Sequence, residues 1–108
     1  MTEYIQVFTT IVGRDAAQKL ADVVVGQRLA ACVQIVGPIS STYWWNGNVE
    51  KSEEWLCIMK SRADLYRQLE ATIYANHAYD VPEIVAVGVE SGLDTYLKWM
   101  EGELKKHE

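Results

Sequence analysis

The chain is short of the residues on which metal-stapled, redox and secreted folds depend. Among 108 residues it has two cysteines, two histidines and two prolines. Cys32 and Cys57 have 24 residues between them and form no Cys-x-x-Cys pair, and His77 and His107 are far from each other in sequence. That spacing argues against a structural zinc site and against a disulfide scaffold. Both cysteines lie in apolar runs, so both are read as buried free thiols. Basic residues are also scarce, with 10 Lys and Arg against 15 Asp and Glu for a net charge of −5. Such a chain lacks the basic stripe that nucleic acid requires. No apolar run approaches the roughly 18 residues of a membrane span. No signal-peptide pattern occupies Met1–Thr10, where Glu3 precedes the first strand. No Gly-rich phosphate loop is present. A cytoplasmic location is the expectation.

What is there reads as one domain over residues 1–108. Tyr4–Thr10 is β-branched and aromatic and predicts a strand. Gly13 breaks it, Asp15 is a candidate helix N-cap, and Ala17, Leu20, Ala21, Val24 and Val25 give helical spacing over Ala16–Gln27. Ala30–Trp45 is a long β-rich segment in which Gly37-Pro38 predicts a bulge or kink rather than an end. Asn46-Gly47 is the strongest short hairpin signal, a two-residue type I′ turn. Val49–Ser61 returns as its partner. Arg62–Tyr74 predicts a second helix, Val81–Glu90 a final strand, and Leu93, Tyr96, Leu97, Met100 and Leu104 a third helix. The order β-α-β-β-α-β plus one helix predicts an α+β, ferredoxin-like fold with an antiparallel sheet.

Two strands look too apolar for a monomer. Trp55–Met59 and Ile84–Val89 carry apolar residues on both faces, whereas a half-solvated antiparallel strand alternates. Two helices cover one face, so the other predicts a second copy of the chain. The long hairpin carries Tyr43, Trp44, Trp45 and Trp55, an aggregation hazard unless they dock on a neighbour.

The segment Asn76–Ile84 packs an imidazole, a phenol and two carboxylates into one connector, and polar groups on a loop held by rigid elements hint at function. Tyr79 and His77 either plug the end of the core or serve a site. His77 itself is a metal ligand, a proton-transfer group or a cap on the preceding helix. Lys60 meets Glu83 or an anionic ligand in a subunit cleft, or is a solvated strand end. Asp80 and Glu83 are candidate paired carboxylates with no substrate in view.

Arg28-Leu29-Ala30-Ala31-Cys32-Val33, Tyr43-Trp44-Trp45-Asn46-Gly47, Glu54-Trp55 and His77-Ala78-Tyr79-Asp80-Val81-Pro82-Glu83-Ile84 together resemble the CutA divalent-cation-tolerance family. The resemblance implies a ferredoxin-like homotrimer similar to the PII signalling proteins, in the cytosol, linked to copper and other divalent metals. An enzyme using Cys32 or His77 ranks last, because the apolar run around Cys32 argues against an activated thiol, and no organic cofactor is implied. The family's loop is His-Pro-Tyr-x-x-Pro-Glu; His77, Tyr79, Pro82 and Glu83 match it, and Ala78 replaces the first proline. Some members bind copper through a first-strand cysteine and two adjacent histidines. Here those positions hold Thr9 and Asn76, so a copper site would rest on His77 with carboxylates such as Glu83. Cys32 is a Cu(I) ligand or an inert thiol. Tyr43, Trp44, Trp45, Trp55, Lys60 and Tyr79 become candidates for the trimer interface and its cleft. The alternative function is a PII-like signalling trimer that holds a small anion or a partner protein.

Overall fold

Along Tyr4–Ile11 every second side chain is buried, as a strand with helices on one face requires, and this segment is the central strand β1. The computed structural model describes residues 3–107. Helix α1 is Arg14–Gly26, β2 is Cys32–Trp45 and β3 is Asn48–Arg62. A 3-10 turn at Ala63–Leu65 leads into α2, Tyr66–Ala75, then β4, Val85–Gly88, and α3, Asp94–Glu103. The sheet order is β2-β3-β1-β4 with every neighbouring pair antiparallel. Helix α1 thus joins two strands that flank β3, and α2 joins two that flank β1. This is the split βαβ arrangement read from the sequence.

The helix-facing rows are Ile5, Val7, Thr9 and Ile11 on β1 and Cys57, Met59 and Ser61 on β3, all buried. They pack against Ala17, Leu20 and Val24 of α1 and Leu69 and Ile73 of α2. Asn46 (φ 50°) and Gly47 (φ 79°) both take left-handed backbone, the geometry of a type I′ turn. The break at Gly37-Pro38 is a register shift between Val36 and Ile39. Gly37 is required there: a Cβ would lie 2.5 Å from Cε3 of Trp55.

Several sequence expectations change. Helix α1 starts at Arg14, because Gly13 (φ 92°) makes the turn; Asp15 falls in the first turn without capping it, where its charge still favours the helix dipole. Arg62 is the last residue of β3, paired with Tyr4, rather than the start of a helix. Strand β4 is four residues long, ending its ladder on β1 at Phe8. Trp55 is not on the hairpin arm. It packs on its own core under Gly37, with the Arg14 guanidinium 5.9 Å from its ring. Cys57 is buried, and burial pushes its thiol up to about 11, but Cys32 is only half-buried.

The opposite sheet face stays open. One rung across it is Gln34, Ile58, Phe8 and Val85, and the next is Cys32, Lys60, Gln6 and Val87. Val36, Val85 and Val87 are 47–54% exposed on this face.

Thr9 carries the one recorded packing penalty: its hydroxyl is fully buried and, among the described residues, has no hydrogen-bond partner. An unsatisfied buried hydroxyl costs about 1–3 kcal/mol, and a methyl of the same shape avoids that cost. Thr9→Val should therefore raise the denaturant midpoint by about 1 kcal/mol of stability at unchanged m value. A lower midpoint would show that the hydroxyl has found a partner.

Candidate functional site

Helix α2 ends without a glycine, so its last carbonyls are taken by the residues that follow. Asn76 gives its backbone N–H to Thr72 and Ile73 and its side-chain amide to Thr72, and the His77 N–H goes to Tyr74. The His77 ring then turns away from the helix. Its Nε2 lies 2.8 Å from the Thr10 carbonyl on β1, and its Nδ1 lies 3.2 Å from the Tyr79 N–H. A carbonyl can only accept and an amide can only donate, so the partners place the ring proton on Nε2. Thr10 lies two residues past Phe8, where the β4 ladder stops. The imidazole fastens the loop to β1 beyond the reach of that ladder.

Tyr79 extends the strut to the hairpin. Its ring sits 4.6 Å from that of His77, and its hydroxyl donates to Glu54 Oε2 at 2.6 Å. Glu54 is 5% exposed and faces Ile39, the first β2 residue past the register shift. Burial first, and then the Glu54 carboxylate, hold the Tyr79 phenol far above its ordinary range; the Val12 N–H acts weakly the other way. Tyr43 adds a like influence from β2 and donates to Ser52 across the hairpin at 3.3 Å. The structure thus joins His77 to Tyr79 and Tyr79 to Glu54, a residue to which the sequence pattern assigns no role, with Tyr43 near the Tyr79 phenol. The usable signal was register: counting back from Asn46-Gly47 sets Glu54 at the bulge, where a buried carboxylate demands a donor.

The other candidates lie elsewhere. Trp44 (74% exposed) and Trp45 stand at the hairpin tip, and Lys60 lies half-buried on the open sheet face beside Cys32 and Gln6. Glu83 is exposed and makes no hydrogen bond or ion pair among the described residues. The expected pairing of His77 with Glu83 about a metal finds no geometry in the protomer. Both His77 nitrogens are engaged, and no three His, Cys, Asp or Glu side chains converge among the described residues. A firm divalent site needs three or four donors, so the residues around His77 do not fit one within a single chain.

The geometry makes Tyr79 a structural clamp. Tyr79→Phe should cost about 2 kcal/mol by leaving the Glu54 carboxylate buried and unpaired, and Tyr79→Phe with Glu54→Met should recover most of it. The folded chain holds the phenol proton more tightly than the unfolded chain does. Stability should therefore be intact below the ordinary phenol value of about 10 and drain away above it, less steeply in Tyr79→Phe. Denaturation midpoints across pH 8–11 would show this (a range set by the phenol value). An undiminished slope in the variant would remove Tyr79 from that role.

The description of the CutA1 divalent ion tolerance protein family matches residues 5–103. Protein CutA, chloroplastic, of Arabidopsis thaliana is 44% identical over 97 residues, covering 90% of this chain and 53% of that protein. The chain thus spans about half the length of this plant relative. The divalent-cation tolerance protein CutA of Pyrococcus horikoshii is 36% identical, over 93% of this chain and 97% of its own. The crystal structure of CutA1 from Oryza sativa superposes with a TM-score of 0.95 at 38% identity, covering 98% of this chain and 97% of that one. The fold, the loop and these matches agree, and the chain belongs to the CutA1 divalent ion tolerance family.

Proposed function

We propose that this chain serves divalent-cation tolerance as a non-catalytic homotrimer whose working surfaces are completed between subunits. The observation that carries this reading is the uncovered sheet face. Val36, Val85 and Val87 are about half exposed beside partly buried Phe8, Leu56 and Ile58, and Trp44 and Trp45 project on the hairpin arm. At about 25 cal/mol per Å², leaving such a face in water forfeits several kcal/mol. The names of the relatives supply the metal connection. Copper is the ion to test first, and its donors would come from more than one subunit, because the described residues of one protomer gather no set. One of the two thiols supports the absence of catalysis: the Cys57 sulfur is sealed in the core with its proton firmly held. A reducing, cytoplasmic setting suits two unpaired cysteines and forms part of the same proposal.

Light scattering at micromolar concentration should give three times the 12.2 kDa protomer mass. Val87→Lys, which sets a charge in the open face, should shift the population toward monomer with far-UV circular dichroism unchanged. A stable wild-type monomer would overturn the assembly reading.

Calorimetric titration separates the metal reading from it. Saturable Cu(II) binding should appear in the wild-type assembly and disappear in monomeric Val87→Lys. Equal binding by the monomer would place the ligands within one chain, against this proposal.

A further inference from the structure

At the end of the sheet remote from the hairpin, four charged side chains close into a ring. The Arg62 guanidinium is 1% exposed, with Nε 2.5 Å from Asp64 Oδ1 and Nη1 3.1 Å from Glu101 Oε2. The second oxygen of each carboxylate goes to His107. Nδ1 is 2.8 Å from Asp64 Oδ2, and Nε2 is 2.8 Å from Glu101 Oε1. Charges alternate around the ring, and each carboxylate is shared between the same two cations.

Carboxylate oxygens in ion pairs only accept, so both His107 nitrogens must donate, and only the imidazolium has two ring protons. The four charges sum to zero in that form alone. A neutral ring would turn a lone pair toward one carboxylate and leave the assembly with one excess negative charge. Permanent anchors stop two residues earlier in the sequence, at Lys105. Arg62 Nη2 donates to the Lys105 carbonyl at 2.7 Å, and the Lys105 N–H donates to the Arg28 carbonyl at 2.8 Å. Arg28 in turn reaches Glu103 through its own guanidinium.

We infer that Arg62, Asp64, Glu101 and His107 form a proton-dependent clasp joining the C-terminal segment, α3 and the end of β3, closed by the His107 imidazolium and opened by its loss. The groups facing it are Arg62 from β3, Asp64 from the 3-10 turn, Glu101 from α3, and Tyr4 from β1, whose hydroxyl is 3.5 Å from Glu101 Oε2. From the tail itself, Lys105 and Lys106 border the same cavity and oppose the imidazolium; the Lys105 ammonium is turned to Gln68 of α2 at 3.2 Å.

The acid limit is set by the carboxylates. The Arg62 hydrogen bond, partly offset by burial, holds Asp64 below its usual range. For Glu101, burial raises the carboxyl, but His107 and Arg62 together outweigh it and the result is lower. The ring therefore persists to lower pH than carboxylates in their ordinary range would allow. On the alkaline side it is lost as the imidazolium deprotonates, since stability that depends on the protonated form is present at low pH and vanishes as pH rises.

Nuclear magnetic resonance of the 108-residue chain in its native assembly tests the clasp. Measurements at about pH 5.5 and about pH 8.5 lie on either side of neutrality, where imidazoles change charge. At the lower pH the His107 ring nitrogens should both carry protons, and the backbone of Lys106 and His107 should be ordered. At the higher pH one ring proton and the backbone order should be lost. His107→Gln should show the released tail at both values, and Glu101→Gln should move the transition to lower pH, which a purely packing role would not do. A single ring proton on His107 at pH 5.5 would overturn the clasp. So would an ordered tail at pH 8.5 or an unmoved transition in Glu101→Gln.

Discussion

The hydrogen bond from Tyr79 to Glu54 is the constraint on which the working end of the molecule depends. Glu54 stands where the sheet stops being a core layer and becomes a free arm, directly across from the residue that follows the Gly37-Pro38 break. A carboxylate only 5% exposed must have a donor, and the phenol supplies it at 2.6 Å. Tyr79 can reach that position only because His77 pins the loop to the Thr10 carbonyl and receives the Tyr79 N–H on its other nitrogen. One chain of contacts therefore couples the exit of α2, the end of β1 and the base of the hairpin. The direction in which Trp44 and Trp45 project is set by this strut together with the bulge.

Much of the architecture was legible because local rules and global fold agree. Period-two burial in β1, helical spacing in α1 and the Asn46-Gly47 turn each specify one outcome. The misses arise where tertiary contacts decide. Arg62 has nothing in its neighbourhood to mark a buried strand residue; the carboxylates that compensate it lie two and 39 positions away, and only folding brings the second one near. The extended segment before Val85 looked like strand, yet Pro82 has no N–H to give and the β1 carbonyl at Thr10 is already taken by an imidazole. Trp55 read as part of an aromatic arm because sequence proximity cannot show that the bulge folds Gly37 over its ring.

The open face explains another pattern that composition alone obscures. Its rungs mix Val, Ile and Phe with Gln6, Gln34, Lys60 and the half-buried Cys32. The helix-facing side, by contrast, admits only Thr9 and Ser61 as buried polar strand residues between Ile5 and Cys57, and Ser61 is satisfied by the Leu29 carbonyl at 2.6 Å. A surface of the first kind suits a covering that offers hydrogen-bond partners as well as apolar area, as interfaces between chains do.

The two histidines, finally, decide how a divalent ion can meet this protein. A metal takes an imidazole through a nitrogen lone pair. His77 has spent its free lone pair on an amide N–H and its ring proton on a carbonyl. His107 in its closed ring presents protons to carboxylates on both sides. His77 offers no free lone pair, being held by neutral backbone groups, and His107 offers none while its ring is closed between two anions. The remaining exposed donors, such as Asp80 and Glu83, are isolated carboxylates that hold an ion weakly one at a time. The proposed role in divalent-cation tolerance therefore needs more than the two imidazoles of one protomer as they stand. It requires either donors brought together by assembly or a rearrangement that breaks the Tyr79 strut, and the second route would also release the hairpin.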